Sequence, residues 1–493
     1  MKPALLVSAA VLFSAPALVS AHLGVALPAY TRLVLPNGTV IYLAPRHEIP
    51  LVHIHAVVRG GAESDPPALG GLSSAVADLL RHGTETRSAA TFSRDMDAIG
   101  ATFNSWADSQ STGVSIELLS RYAERGVDLL AGAVLAPQFP APEVRLKLGQ
   151  SIDDALATKD SPGLAAALYF RALLFGPGHP YGHPVGGDEL SLGRIARADI
   201  VAYHRRMYVG RNLILIAVGD FDPSRMRGQL VRAFGNLRPG QKYEWTSGHA
   251  SERPAGPSVL LVDQPGAPQT HFVIGRSGIS RDGPDRLAVW LANTAFGGSF
   301  TSVLNTALRI RSGLTYGANC VLDQNRLPGA ISIRSFTATG FTAQAIQLAL
   351  SALHTFSQVG ISSDQLTAAK TYLKGNFPSD NLETSDELAA TLSELELYGL
   401  GADDVNSLFS RIDAVTQDQV NAAARKYFGT SGLYFVLVGD AARLRHIAEH
   451  YTEKPLEISL FRPGYQIFNG NEPDPNSSLS WLGTVVKPDT KAR

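Results

Sequence analysis

The clearest periodic pattern in the chain lies in the stretch GLSSAVADLLRHGT, from Gly71 to Thr84. Apolar residues recur there at relative positions 0, 4, 7 and 8, where they are Leu72, Val76, Leu79 and Leu80. Residues with this spacing share one face of a helix, and a glycine such as Gly83 commonly follows a helix end. The pattern therefore predicts an amphipathic helix that buries its apolar face.

Strand-like patterns flank this helix on both sides. Residues 32–44 (RLVLPNGTVIYLA) predict a hairpin that turns at Asn37-Gly38, a dipeptide typical of tight turns. Residues 101–119 predict two further short strands. The helix is thus expected to pack on a sheet.

The run LVHIHAVV at residues 51–58 predicts a strand with His53 and His55 on the same face. Two histidines at this spacing can chelate a metal, and His82 is near in sequence. A relocated metal site formed by His53, His55, Asp78 and His82 is one interpretation. Packed or solvent-facing histidines are the more common outcome for such a pattern.

A long-range repeat divides the chain. The segment from Asp199 to Asp220 (DIVAYHRRMYVGRNLILIAVGD) resembles the segment from Asp418 to Asp440 (DQVNAAARKYFGTSGLYFVLVGD). Both end in Gly-Asp after a buried apolar strand, and their last residues are offset by 440 − 220 = 220 positions. The repeat predicts two similarly folded halves, each with helices packed against a sheet.

The length and local composition set the expected boundaries, because 493 residues exceed what one core usually holds. We expect a leader at residues 1–21, an N-terminal domain at 25–240 and a linker rich in Gly, Pro and Ser at 241–257. A C-terminal domain at 258–465 and a polar tail at 466–493 follow.

Charge and cysteine content narrow the function classes. The formal net charge is -1 and the pI is near 6.9, so there is no electrostatic case for nucleic acid or an anionic membrane surface. Cys320 is the single cysteine, which excludes an intrachain disulfide. It lies in an apolar strand-like run, so a buried structural thiol is favoured over a nucleophile.

The first 21 residues have the pattern of a secretory signal peptide. Lys2 precedes an apolar run that ends in the small residues Val19-Ser20-Ala21. Cleavage would leave a periplasmic or secreted protein; an uncleaved N-terminal anchor is the alternative. No second segment is expected to cross a membrane.

The central helix resembles the opening helix of the pitrilysin/insulinase-type metallopeptidases, which carries the inverted zinc motif H-x-x-E-H. Laid on that pattern, the first histidine falls on Ser74, the glutamate on Ala77 and the second histidine on Asp78. The later zinc-binding glutamate falls on Asp154. The resemblance therefore implies that this helix lacks two imidazole ligands and the general base, so it binds no metal and has no peptidase activity on its own.

The string HPYGHPVGG at residues 179–187 matches a further family string, which forms a loop that packs the domain. His179 and His183 are four residues apart, but Pro180 and Pro184 exclude a regular helix between them. We therefore assign both histidines structural roles.

The family also has an arginine and a tyrosine seven residues apart in the pattern L-R-x-x-x-G-L-x-Y. This sequence retains that pattern at Leu308, Arg309, Gly313, Leu314 and Tyr316. The resemblance implies that Arg309 and Tyr316 bind the substrate backbone carbonyl and steady the oxyanion that develops on it. The alternative is structural, with the arginine in a surface ion pair and the tyrosine packed under a loop. It further implies that Asn104 belongs to a strand along which a peptide lies, although Asn104 could instead satisfy a turn.

The resemblance covers about residues 30–450 and is strongest to the short bacterial members. It implies an α+β fold of two homologous sandwich-like halves, each with a mixed, mostly antiparallel sheet covered by helices. The favoured function is the non-catalytic subunit of a heterodimeric zinc metallopeptidase, arranged as in mitochondrial processing peptidase. A homologous partner with an intact H-x-x-E-H motif would hold the zinc, and unfolded peptides would be the substrates. The alternative is a catalytically dead peptide-binding or scaffold protein of the same fold.

Overall fold

The computed structural model of this chain describes residues 24–176, 178–245, 259–452 and 456–459. The predicted leader at residues 1–21, most of the predicted linker and the predicted tail at residues 466–493 lie outside these ranges.

The first half contains one sheet and eight α-helices within the described residues. Its strands are β1 (Thr31–Val34), β2 (Val40–Pro45), β3 (Leu51–Arg59), β4 (Thr102–Ala107), β5 (Ser111–Leu119) and β6 (Leu213–Gly219). Its helices are α1 (Leu72–Leu79), α2 (Ala89–Asp97), α3 (Ala123–Leu135), α4 (Ala141–Asp160), α5 (Pro162–Phe175), α6 (Glu189–Arg194), α7 (Arg197–Met207) and α8 (Pro223–Phe234). The strands lie in the order β1-β2-β6-β3-β5-β4.

The second half repeats this plan. Its strands are β7 (Val259–Asp263), β8 (Gln269–Ser277), β9 (Ala318–Gln324), β10 (Pro328–Ala338), β11 (Tyr434–Gly439) and β12 (Leu456–Ser459). Its helices are α9 (Arg286–Asn293), α10 (Val303–Asn305), α11 (Thr342–Val359), α12 (Ser363–Asn381), α13 (Ser385–Tyr398), α14 (Asp403–Asn406), α15 (Leu408–Ala414), α16 (Gln417–Tyr427) and α17 (Ala441–Tyr451). Two π-helical segments, Thr294–Gly298 and Thr306–Arg311, follow α9 and α10.

The two sheets share five strands in the same order, which confirms the predicted internal repeat. The order β2-β6-β3-β5-β4 in the first sheet corresponds to β7-β11-β8-β10-β9 in the second. In each sheet one inner pair is parallel and the three pairs beyond it are antiparallel. The predicted α+β class with mixed, mostly antiparallel sheets is therefore confirmed. Strands β4 and β9 form equivalent free edges.

The hairpin and the central helix follow the sequence patterns closely. Strands β1 and β2 pair antiparallel, and Gly38 has the positive φ of 90° that the turn requires. The apolar face of α1 is buried, as predicted. The helix ends at Leu79 rather than near Gly83, because Thr84 pairs with Pro137 in an isolated bridge that draws the chain away.

Two helices are exchanged between the halves. Helix α5 of the first half packs on β8 and β11 of the second sheet, and α13 of the second half packs on β3 and β6 of the first sheet. Tyr169 and Phe170 of α5 are fully buried in this contact. The halves are therefore interlocked by apolar burial in both directions.

A buried charge cluster reinforces the contact of α13 with the first sheet. The carboxylate of Glu396 accepts hydrogen bonds from Arg32 (2.9 Å), Arg59 (2.8 Å) and the Tyr42 hydroxyl (2.8 Å). Burial alone would raise the pKa of Glu396, but the hydrogen bonds from Arg32 and Tyr42 and the guanidinium charges lower it overall. The cluster holds an ionised glutamate between the two halves.

One helical run, Arg286–Arg311, is long and apolar enough to cross a membrane by length and composition. The expectation that no second segment could cross a membrane therefore overlooked this run. Of its apolar window, 56% is buried inside the fold, and Phe296 has no exposed surface. A core helix has the same hydropathy, so packing accounts for the apolar character of this run.

Candidate functional site

The positions aligned with the zinc ligands surround one cavity of about 230 Å³. Ser74 and Asp78 of α1 line it together with Asp154 of α4, which is exposed. The distant Asp154 is thus brought to the same cavity as the two α1 positions. Ala77, aligned with the general base, is 1% exposed and carries no group that can transfer a proton.

A lysine that sequence reasoning missed occupies this cavity. The Nζ atom of Lys147 lies 2.7 Å from Oδ2 of Asp78, and the Ser105 hydroxyl donates a hydrogen bond of 2.5 Å to Oδ1. Both oxygens of Asp78 therefore have partners, and a positive charge stands where a metal would bind. Lys147 precedes Asp154 by seven residues, two helical turns, so a search for charges on that face of α4 would have found it.

The start of α1 depends on the loop at residues 179–187. Gly71 has φ = 89°, and a Cβ atom there would lie 2.5 Å from the carbonyl oxygen of Gly186. His179 in the same loop is 8% exposed and stacks on Phe175, and burial lowers its pKa to about 4. No helix joins His179 to His183. The predicted packing role of the loop is confirmed.

Arg309 and Tyr316 contact each other in the second half. The guanidinium carbon of Arg309 lies 4.7 Å from the ring centre of Tyr316 and 4.8 Å from that of Phe300, so it stacks on two aromatic rings. Tyr316 is 78% exposed and Phe300 is 61% exposed. Among the described residues, no carboxylate pairs with this guanidinium. Phe300 is a further member of this cluster that the sequence pattern did not indicate.

A cavity of about 540 Å³ lies beside this stacked arginine. Its lining includes Arg309 and Arg334 but no aspartate or glutamate from the described parts of the chain. His271 also lines the cavity, and burial lowers the pKa of its imidazole, which favours the neutral form. Asn319 contributes from edge strand β9. The cavity is thus positively charged and bounded by β9, an edge strand among the described parts of the sheet.

Asn104 lies within β4, the free edge of the first sheet, opposite Ser115 of β5. It is exposed and does not occupy a turn, so the turn alternative is wrong. Its neighbour Ser105 contacts Asp78 on the α1 side. Since side chains alternate along a strand, Asn104 belongs to the opposite face of the sheet.

His53 and His55 are 3% and 4% exposed and lie on the sheet face covered by α13. Helix α1 packs on the other face of the sheet. Asp78 is bound to Lys147 there, so the four-residue relocated site considered from sequence does not form. The carboxylate beside the two histidines is instead that of Asp386.

His82 is not part of the histidine pair. Its Nδ1 is instead hydrogen-bonded to Glu143 at 2.8 Å. Cys320 is buried, and burial raises the pKa of its thiol, as expected for a structural cysteine. Neither residue joins a catalytic arrangement in the described part of the chain.

The fold and these cavities define the class of the protein. It is a two-half α+β protein of metallopeptidase architecture whose zinc positions lack the imidazole ligands. Among solved structures, the chain is similar to the peptidase M16 inactive domain from Pseudomonas fluorescens, with a TM-score of 0.76, 24% identity and coverage of 84% of this chain and 98% of that one. A protease from Helicobacter pylori superposes with a TM-score of 0.75 at 17% identity, covering 84% and 100%.

The sequence comparisons give the family. Residues 41–162 match the family described as Insulinase (Peptidase family M16), and residues 194–373 match the Peptidase M16 inactive domain. The chain belongs to peptidase family M16, which confirms the predicted pitrilysin/insulinase relationship.

Relatives in this family carry differing names. An uncharacterised zinc protease of Mycobacterium leprae is 26% identical over 395 residues, which cover 80% of this chain and 88% of the relative. A non-peptidase homologue of Helicobacter pylori is 22% identical over 402 residues, covering 81% and 91%. In this chain the positions aligned with the two histidine ligands and the general base are Ser74, Asp78 and Ala77.

Proposed function

We propose that this chain is the non-catalytic subunit of a heterodimeric zinc metallopeptidase that cleaves unfolded peptides. The observation that carries the proposal is the stacked Arg309, which lies between Phe300 and Tyr316 and has no carboxylate partner among the residues that the structure describes. The substrate-binding pair is retained while the zinc positions of α1 are lost. Zinc and its general base would therefore be supplied by a homologous partner with an intact motif.

The geometry around Arg309 suits a peptide backbone. Stacking covers the faces of the guanidinium but leaves its N–H groups free to donate hydrogen bonds. Edge strand β9 offers unpaired backbone groups to which an extended peptide can add as a further strand. Arg309 and Tyr316 would then donate to the scissile carbonyl as negative charge develops on its oxygen.

The cavity beside the pair and the cavity at the degenerate zinc positions both border helix α5. The cavity at Arg309 and the cavity at Asp78 have no lining residue in common. Helix α5 contributes Gly163 and Ala166 to the first and Leu168 and Tyr169 to the second. In this proposal the pair acts on a zinc ion held by the partner, because the positions aligned with the zinc ligands are replaced in the second cavity.

Two further elements belong to the proposal. Asn104 on edge strand β4 would contact bound peptide at the equivalent edge of the first half. The apolar leader at residues 1–21 supports export, so we place the heterodimer in the periplasm or outside the cell.

The test compares two neighbouring arginines in the reconstituted complex. The chain is co-purified with its intact-motif homologue, and cleavage of a quenched unstructured peptide is measured. Arg309→Ala should lower kcat by about 10²-fold, the usual cost of losing one oxyanion donor. Arg311→Ala, an exposed position in the same π-helical segment, should stay within about twofold of wild type.

Equal activities of the two variants would refute the role of Arg309. A complex without peptidase activity that still binds peptide tightly would instead favour the scaffold alternative.

A further inference from the structure

His53, His55 and Asp386 form a cluster in which three metal-binding side chains converge. Alternation along β3 places both imidazoles on one face, with ring centres 4.6 Å apart. Asp386 comes from the first turn of α13, more than 300 positions away in sequence. The potential ligand atoms of the three residues all lie within 4.8 Å of one another.

Asp386 is held at the boundary between the halves by the start of its helix. Thr384 and Glu387 form a reciprocal capping box that fixes the first turn of α13. Oδ1 of Asp386 lies 2.9 Å from Nε2 of His55 and 3.2 Å from Nε2 of His53. The Asp386 side chain is 62% exposed, which leaves the cluster open to solvent on one side.

Glu117 orients the ring of His53 from the opposite side. The two residues are directly paired across β3 and β5, and Oε2 of Glu117 lies 3.4 Å from Nδ1 of His53. A carboxylate at Nδ1 favours the tautomer with its proton there and a lone pair at Nε2. This carboxylate–histidine arrangement is typical of metal sites.

The cluster contains an unsatisfied polar atom that a cation would complete. Nε2 of His53 is buried and makes no hydrogen bond, although it faces the Asp386 carboxylate. A lone pair 3.2 Å from a carboxylate oxygen is repelled by it unless a positive charge lies between them.

Two of the three distances between ligand atoms are close to those around a tetrahedral zinc ion. With Zn–N and Zn–O bonds of about 2.0–2.1 Å, neighbouring ligand atoms in a tetrahedron are about 3.3 Å apart. The separations of 3.2 and 2.9 Å between the Asp386 oxygen and the two imidazole nitrogens need to change by only a few tenths of an ångström, and all three potential ligand atoms lie within 4.8 Å of one another.

We propose that His53, His55 and Asp386 bind a divalent transition metal, with Zn²⁺ as the expected ion and water in the fourth position. The ion would join β3 of the first half to α13 of the second and stabilise their contact. The site lies on the opposite face of the sheet from the degenerate motif of α1, and it does not depend on the proposed peptidase role.

Zinc binding to the full chain, purified without a histidine tag and stripped with chelator, tests this site. Isothermal titration should give one Zn²⁺ per chain, and Zn²⁺ should raise the melting temperature. Co²⁺ should also quench Trp106, whose ring centre is 5.1 Å from that of His55.

Variants at the solvent-exposed rim avoid the folding risk of replacing buried histidines. Asp386→Asn should weaken zinc binding by at least about tenfold, and Glu117→Gln by about 10–100-fold. Asp364→Asn is the matched control, because Asp364 occupies the same first-turn position in α12, behind the capping box of Ser362. It should bind zinc like wild type.

Two results would overturn the proposal. The first is a bound stoichiometry below about 0.2 Zn²⁺ per folded wild-type chain at saturating zinc. The cluster would then hold a proton rather than a metal, even if Asp386→Asn lowers the melting temperature. The second is equal zinc affinity of wild type and Asp386→Asn.

Discussion

Lys147 makes a quantitative prediction about the degenerate zinc position. Suppose the three aligned ligands are restored as Ser74→His, Asp78→His and Asp154→Glu, while Ala77 is kept. The Lys147 ammonium, now 2.7 Å from Asp78, would then face the metal instead of a carboxylate. At an effective dielectric constant of 20, charges of +1 and +2 about 5 Å apart repel by about 7 kcal/mol.

The measured effect should be smaller, because the Lys147 side chain is 20% exposed and can turn toward solvent. We expect at least about 2.7 kcal/mol to remain, which corresponds to about 100-fold in zinc affinity. Replacing Lys147 by Met in the restored chain should recover that factor, whereas Lys147→Arg, which keeps the charge, should not.

The assay is competitive zinc titration, performed in an Asp386→Asn background so that the proposed second site does not contribute. The reasoning fails if the restored chain binds zinc equally well with Lys147 and with Met at this position. Because Ala77 still lacks a general base, none of these variants should cleave peptides.

Two predictions concern how the halves and the central helix are held. Glu396→Gln leaves Arg59, whose side chain is 5% exposed, without its counter-charge, and should cost about 3–5 kcal/mol in urea unfolding at pH 7. Because the pKa of Glu396 is lowered, its contribution is complete above the ordinary value of 4.5 and is lost as the pH falls below that value. Wild type should therefore lose more stability than the variant as the pH falls below 4.5, and an equal loss in the two proteins over that range would contradict this. Gly71→Ala, which places a methyl group 2.5 Å from the Gly186 oxygen at positive φ, should cost about 2 kcal/mol or more. Both this variant and a control, Gly149→Ala, are compared with wild type in thermal melts. Gly149 is exposed in α4 with open space around it, so its replacement should be neutral or stabilising. Equal melting temperatures of the two variants would refute the contact between Gly71 and Gly186.

Local patterns predicted the parts of the fold that depend on nearby residues. The α1 spacing identified its buried face, and the 220-residue offset identified the repeated sheets. The exchange of α5 and α13 was not predictable, because α5 is apolar on nearly all sides and its pattern does not say which sheet it covers. Tertiary packing decides that choice.

The candidate sites show the same division. The pairing of Arg309 with Tyr316 was visible as a seven-residue spacing within one motif. The position of Asp386 beside His55 was not, because strand periodicity gives the shared face of the histidines but not the distant helix that covers it. The position of Lys147 beside Asp154 could have been predicted, because the two residues are two helical turns apart on the same helix.

The most direct measurement of the central claim is peptide cleavage during a titration of this chain into a fixed amount of its intact-motif homologue. The account predicts negligible activity for this chain alone and a rise that saturates at one chain per partner. Zinc-dependent cleavage by this chain alone, or activity of the partner that is unchanged by adding it, would contradict the account.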